Sequence, residues 1–176
     1  MTPEASLADR VREAALLEGD FVLSSGKKSK FYVDKYLFST EPELLRDLGD
    51  ALAEMIPDGV TRLAGVALGA VPLVVAASLA TGLPYVVVRK ETKAYGTGRG
   101  VEGNLQEGDK LALIEDVVTT GTQAMEAARR LDEMGASVLG ILAVLDRREG
   151  SSGSEIGGYP FKTVLEMADL RVDFGD

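Results

Sequence analysis

The stretch Lys110-Leu-Ala-Leu-Ile-Glu115-Asp116-Val-Val-Thr119-Thr120-Gly121-Thr122-Gln123 decides how this chain is read. Leu111 to Ile114 form an uncharged apolar run, the signature of a strand buried on both faces. Glu115 and Asp116 end that strand as two adjacent carboxylates. Hydroxyls and a glycine follow, and then Ala124, Ala127, Ala128, Leu131 and Met134 recur at helical spacing. The result is a strand–loop–helix unit with its polar chemistry at the carboxyl end of the strand, where open α/β sheets place their ligands.

Thr119 to Thr122 bring amide and hydroxyl donors to the start of a helix, whose unpaired N–H groups and dipole attract an anion such as phosphate. Gly121 lets the backbone approach that ligand without a side chain in between. The two carboxylates would repel a phosphate, so they serve something beside it: a sugar diol or a hydrated magnesium ion. A phosphorylated sugar offers phosphate and diol together. The plainer alternative is that Glu115 and Asp116 end a strand while Thr120 caps a helix.

Composition narrows the chemistry. The 176 residues fit one domain with a substantial core, and 45% hydrophobic with 27% charged residues is ordinary for a soluble globular chain. Neither a membrane-length apolar run nor a signal-peptide pattern is present, so a cytoplasmic protein is expected. Cysteine is absent, which excludes disulfides and thiolate metal sites. Histidine is absent too, which removes the usual general base and the usual zinc ligand. A net charge of −9 argues against nucleic acid as partner. Two basic stretches stand out against it. Residues 27–35 hold Lys27, Lys28, Lys30 and Lys35 against Asp34, and residues 89–99 hold Arg89, Lys90, Lys93 and Arg99 against Glu91.

In chain order, residues 6–17 read as an amphipathic helix that stops before Gly19. Phe21–Leu23 and Phe31–Val33 are short strands around a turn, forming a cap over the sheet, with Phe31 in the core and Tyr32 free to face a planar base. Thr40-Glu41-Pro42-Glu43 starts a helix with capping-box spacing. Strands at Leu63–Ala67, Tyr85–Val88, Leu111 and Val138–Leu145 then alternate with helices at Pro72–Leu79 and Thr122–Met134. That alternation predicts a central parallel sheet flanked by helices on both faces. Gly69 lies between a strand and a helix, either as a plain turn or where amides hold a second anion. Residues 91–108, rich in glycine and without apolar periodicity, read as a lid. Gly98-Arg-Gly100-Val-Glu-Gly103 fits the dinucleotide fingerprint but opens no helix, so it is rejected. Arg147, at a strand's carboxyl end, either binds a substrate carboxylate or carbonyl or pairs with Glu149. Phe161–Leu165 returns as a late strand.

The string from Ile114 to Thr122 resembles the phosphoribosyl pyrophosphate (PRPP) motif of type I phosphoribosyltransferases, which favours the functional reading over the plain one. Along nearly its whole length the chain resembles the orotate phosphoribosyltransferase family. Phe21–Gly26 with Phe31–Asp34, Gly65–Pro72, Val88–Lys93 with the glycine loop, and Ile114–Gln123 with Leu145–Arg147 carry the match in order. The resemblance implies the type I fold, with residues 1–38 and a strand near 159–166 forming a base-binding cap (hood) on a single domain. It implies magnesium-dependent transfer of phosphoribose from PRPP to orotate, in pyrimidine biosynthesis, by a homodimer. Glu115, Asp116, Val117, Val118, Thr119, Thr120, Gly121, Thr122 and Gln123 would bind PRPP, with Glu115 and Asp116 at the ribose hydroxyls. Arg89, Lys90 and Lys93 would neutralise pyrophosphate, with Lys93 reaching the neighbouring subunit's site. Asp116 and Lys93 would be catalytic, Thr119 and Arg147 would contact orotate, and magnesium would ride mainly on the pyrophosphate. The resemblance also suggests a strained, cis Leu68–Gly69 bond.

Tyr95, Gly69 and Ser24 stand where many or some relatives carry histidine or lysine. Two alternatives stay open: transfer to another nucleobase, and a PRPP-sensing regulator without catalysis. The acidic chain speaks against a regulator of RNA.

Overall fold

The computed structural model describes residues 5–22, 26, 28–90, 100–148 and 153–171. Helix α1 (Leu7–Ala15) starts at Ser6, whose hydroxyl accepts from the Asp9 amide. It runs into an antiparallel hairpin, β1 (Leu16–Val22) and β2 (Lys28–Val33), which makes a separate two-stranded sheet. The first strand therefore begins five residues earlier than its aromatic residues suggested. A short helix, α2 (Lys35–Ser39), follows with Asp34 as its cap. Helix α3 (Pro42–Glu54) is capped by the Glu41 carboxylate, which accepts from the Leu44 amide at 2.9 Å. Thr40, the expected cap, instead donates back to the Tyr36 carbonyl and closes α2.

The alternation then builds the main sheet: β3 (Arg62–Val66), α4 (Val71–Thr81), β4 (Tyr85–Val88), β5 (Val101–Glu102), β6 (Lys110–Val118), α5 (Thr122–Glu133), β7 (Ser137–Asp146), β8 (Glu155–Ile156) and β9 (Tyr159–Glu166). Strand order is β5-β4-β3-β6-β7-β9-β8. The inner five strands are parallel, and the two-residue edges β5 and β8 run antiparallel. The expected parallel sheet is thus present, with short antiparallel edges that the apolar pattern did not announce. Strand β9 pairs with β7 in this sheet and not with the N-terminal hairpin. The expectation that 159–166 forms part of the cap is corrected accordingly. An apolar partner strand was available in β7, and what touches the N-terminal region is the 3-10 turn Met167–Leu170 after β9, which packs on α1.

Side-chain alternation divides the core into two layers. Leu63, Ala112, Ile114, Leu142 and Val144 face α1, α2, α3 and α4. Ala64, Leu111, Leu113, Ile141 and Ala143 face α5. Phe31 is only half-buried, because its strand lies in the separate hairpin and reaches the core through Val33. At the amino end of the sheet, buried Arg62 is held by Asp109 at 2.6 Å, a structural clamp remote from the carboxyl edge.

Candidate active site

Chain order reverses direction at the β3/β6 boundary: the chain leaves β3 for β4 on one side and returns as β6 on the other. In a parallel sheet that reversal opens a crevice at the carboxyl ends of the two strands. The residues there are the Ala67–Ala70 turn after β3 and the last residues of β6.

Strand β6 outruns β3. Its pairing with β3 ends at Gly65 with Ile114, whereas its pairing with β7 continues to Val118. Glu115 and Asp116 therefore lie within the strand and not at its end, since β7 alone keeps this overhang extended. Alternation sends Asp116 toward the face covered by α2 and α4, and Glu115 toward the other. Both are almost fully buried, at 5% and 4% exposure for Glu115 and Asp116. One Asp116 oxygen accepts from the Val117 amide at 2.7 Å. The other meets the Lys35 ammonium at 2.7 Å. Burial first, and then the negative charge of Asp116, push the Glu115 carboxyl up to about 8, with Lys35 and Lys90 pulling the other way. Lys35 itself is raised: burial, the largest influence, opposes its charge, and the hydrogen bond to Asp116 together with the charges of Asp116, Tyr36 and Glu115 more than offsets it.

Gly69 is neither a plain turn residue nor one chosen for a left-handed backbone. A Cβ there would lie 1.5 Å from Asp116 Oδ2 and 3.2 Å from Lys35 Nζ. The carboxylate fills the space a side chain would need. The cis peptide bond falls one residue before the expected place, between Ala67 and Leu68, and Leu68–Gly69 is trans.

The loop after β6 is open. Thr119, Thr120, Thr122 and Gln123 are exposed. Thr120 Oγ1 accepts from the Thr122 amide at 3.3 Å and lies 3.0 Å from the Thr122 hydroxyl. Gly121 begins α5 in a left-handed conformation and offers no side-chain cap, so beyond the Thr122 amide held by Thr120 the helix's first donors have no capping side chain. Ile156 of β8 would meet a Cβ on Gly121 at 2.7 Å, so this position needs glycine for two reasons. Val117 and Val118 pack into the two core layers and can offer substrate only backbone. The Val118 carbonyl is already taken by the Arg147 amide at 2.7 Å.

The two arginines after β7 take different parts. Arg148 grips buried Asp146 through Nε and Nη2 and lies over the Phe161 ring, so it is structural. Arg147 is half-buried and ion-paired with no carboxylate among the described residues. Burial pulls its guanidinium below the ordinary value, and the nearby Tyr32 phenol works in the opposite sense. Tyr32 belongs to the hairpin, so the cap lies near enough to this arginine for its charge to be felt. Arg89 turns toward the sheet edge, where it pairs with Glu102 at 3.2 Å. Lys90 is exposed and close enough to act on Glu115. Lys93, Tyr95 and Ser24 lie outside the described residues. Of the residues picked from sequence, the structure gathers Glu115, Asp116, the 119–123 loop, Lys90 and Arg147 along one edge. Lys35 was missed as a site residue. Its only sequence signal was membership of a basic stretch.

No family model matches the chain. Orotate phosphoribosyltransferase of Methanocella arvoryzae is 43% identical over 169 residues, 95% of this chain and 97% of that one. The chain belongs to the orotate phosphoribosyltransferase family. Among solved structures, the orotate phosphoribosyltransferase of Mycobacterium tuberculosis H37Rv with Fe(III) dicitrate superposes with a TM-score of 0.82 at 32% identity, covering 94% of this chain and 97% of that one. The same enzyme in complex with PRPP gives 0.78 at 29% identity, with 94% and 97% covered. For an orotate phosphoribosyltransferase, the buried pair on β6 and the uncapped start of α5 are the features that matter.

Proposed function

We infer that this chain transfers phosphoribose from PRPP to orotate, giving orotidine 5′-monophosphate and pyrophosphate, a step of pyrimidine biosynthesis. The observation that carries the reading is the crevice at the β3/β6 reversal. It sets two buried carboxylates beside an uncapped helix start and an arginine without a carboxylate partner among the described residues. The 5-phosphate suits the amides of residues 119–123. The ribose hydroxyls suit Asp116 and Glu115, and Arg147 suits the orotate carboxylate, with Thr119 beside it.

Displacing pyrophosphate from the anomeric carbon builds positive charge on the ribose and negative charge on the leaving group. A buried carboxylate next to the ribose stabilises the first, and cations stabilise the second. Lys90, exposed and near Glu115, is the cation we assign to that role, and Arg89 would join it only when its exposed pair with Glu102 opens. Lys93 follows in a segment outside the described residues, read from sequence as a lid. Orotate attacks as an anion, so no histidine is required. Magnesium, carried by the pyrophosphate, supplies further charge neutralisation there. Its contacts would fall mainly on the substrate's pyrophosphate.

Two copies make the working unit. Helix α4 is apolar all round, and its outward Leu79 is 82% exposed. With α3 it lines a groove of about 490 Å³ whose wall is apolar apart from Arg46 and Asp50. Such a face suits a second copy. The deciding assay follows orotate consumption with PRPP and magnesium. Consumption that depends on both supports the reading. Consumption of another base instead would reassign the substrate, and PRPP binding without turnover on any base would leave a sensor.

A further inference from the structure

We propose that Lys35 is a positioning residue for the transfer: it fixes the Asp116 carboxylate against Gly69 and ties the N-terminal cap to the PRPP loop. The inference rests on the functional reading above and adds a residue to it.

The ammonium of Lys35 lies 2.7 Å from Asp116 Oδ2, while the other carboxylate oxygen is held at 2.7 Å by the Val117 amide. Both oxygens are thus oriented, one by its own strand and one from outside the sheet. Asp116 is nearly fully buried, and an ion pair to a buried carboxylate has a definite geometry that an exposed pair lacks. The pocket accepts this arrangement because residue 69 is glycine: a Cβ there would collide with Asp116 and crowd Lys35 Nζ. The cation comes from α2, directly after the hairpin that carries Tyr32. Tyr32 in turn acts on Arg147. The hairpin and the buried carboxylate are thus joined through α2. Each oxygen retains a further lone pair for a ribose hydroxyl, so the pair does not block the substrate.

The chain has no cysteine, which makes the test clean. Lys35→Met and Lys35→Cys should each lower kcat roughly 30-fold, with both proteins folded by melting curve. Aminoethylation of the Lys35→Cys protein, which rebuilds an ammonium at that reach, should restore most of the rate. Placed on top of Asp116→Asn, Lys35→Met should cost less than about threefold more, because the carboxylate it positions is gone. Calorimetric titration of the same four-protein cycle with PRPP should show the same lack of additivity without any turnover. A wild-type-like Lys35→Met protein, a loss that multiplies with Asp116→Asn, or aminoethylation without recovery would each overturn the role. If the Met and Cys proteins fail to fold, Lys35→Arg keeps a cation of different shape. Its smaller loss must vanish in the Asp116→Asn background, and a loss that persists there overturns the proposal. Wild-type protein inactive on orotate would overturn the functional reading alone, and the calorimetric cycle would then still decide Lys35.

Discussion

Asp116 and Glu115 are neighbours in sequence, yet their surroundings differ. Asp116 has a lysine and an amide, whereas Glu115 has burial and an adjacent negative charge. Asp116→Asn keeps the shape and removes the charge, so the melting temperature should stay within a few degrees while kcat falls by roughly two orders of magnitude or more. A steady-state assay beside a melting curve checks it, and wild-type turnover would refute the assignment. Glu115 makes a prediction about stability. Its folded pKa, about 8, lies above the ordinary 4.5, so the folded protein holds a proton that the unfolded chain releases between those values. The stabilisation it gives is complete below the unfolded pKa and is lost as pH rises through 8. Thermal melts from pH 5 to 9 should show the wild type losing stability across that window. Glu115→Gln, which needs no proton, should lose less and melt roughly 5 °C above wild type at pH 9. Parallel melting curves would contradict the buried, protonated state.

Two elements bear on the crevice, β6 directly and α4 through the Ala67–Ala70 turn that leads into it, and they differ in how readable they are. The β6 run was evident because its residues are apolar without a break, and the hydroxyl–glycine loop after it identified the site. Its true end was not evident. Glu115 and Asp116 look like a terminus, and only the pairing with β7 past the end of β3 carries the strand to Val118. The Lys35–Asp116 contact was unreadable for the same kind of reason: it joins residues 81 apart in sequence, and no local period records it. The β9 strand was placed in sequence but not in space, since its apolar pattern does not name its partner. Helix α4 is fixed by close approach to its neighbours. A Cβ on Gly49 of α3 would stand 2.7 Å from Ala76 Cβ and 2.9 Å from the Ala76 backbone carbon. Backbone cannot rotate away as a side chain can, so Gly49→Ala must push the two helices apart. Chemical denaturation should show a loss of about 2 kcal/mol. A variant as stable as wild type would mean that α4 has slack, and with it the Gly69 turn that leads into α4.

At the scale of the molecule, each chain carries a nearly complete crevice and an apolar helix face that a single copy leaves in water. In the two-fold dimer proposed above that face would be buried, and symmetry would make whatever one subunit lends also what it receives. Lys93 is the residue proposed to be lent. The test mixes Lys93→Ala protein with Asp116→Asn protein, each nearly inactive alone, and lets the subunits exchange. In a mixed dimer, the subunit with normal Asp116 receives a normal Lys93 from its partner, and that site is whole. Random reassortment of equal amounts makes half of the dimers mixed, each with one whole site of two, so about a quarter of wild-type activity should return. If Lys93 serves its own subunit, every site in the mixed dimer lacks either the lysine or the aspartate, and nothing returns. Native mass spectrometry confirms that exchange occurred. Mixed dimers without recovered activity would place Lys93 in the site of its own chain.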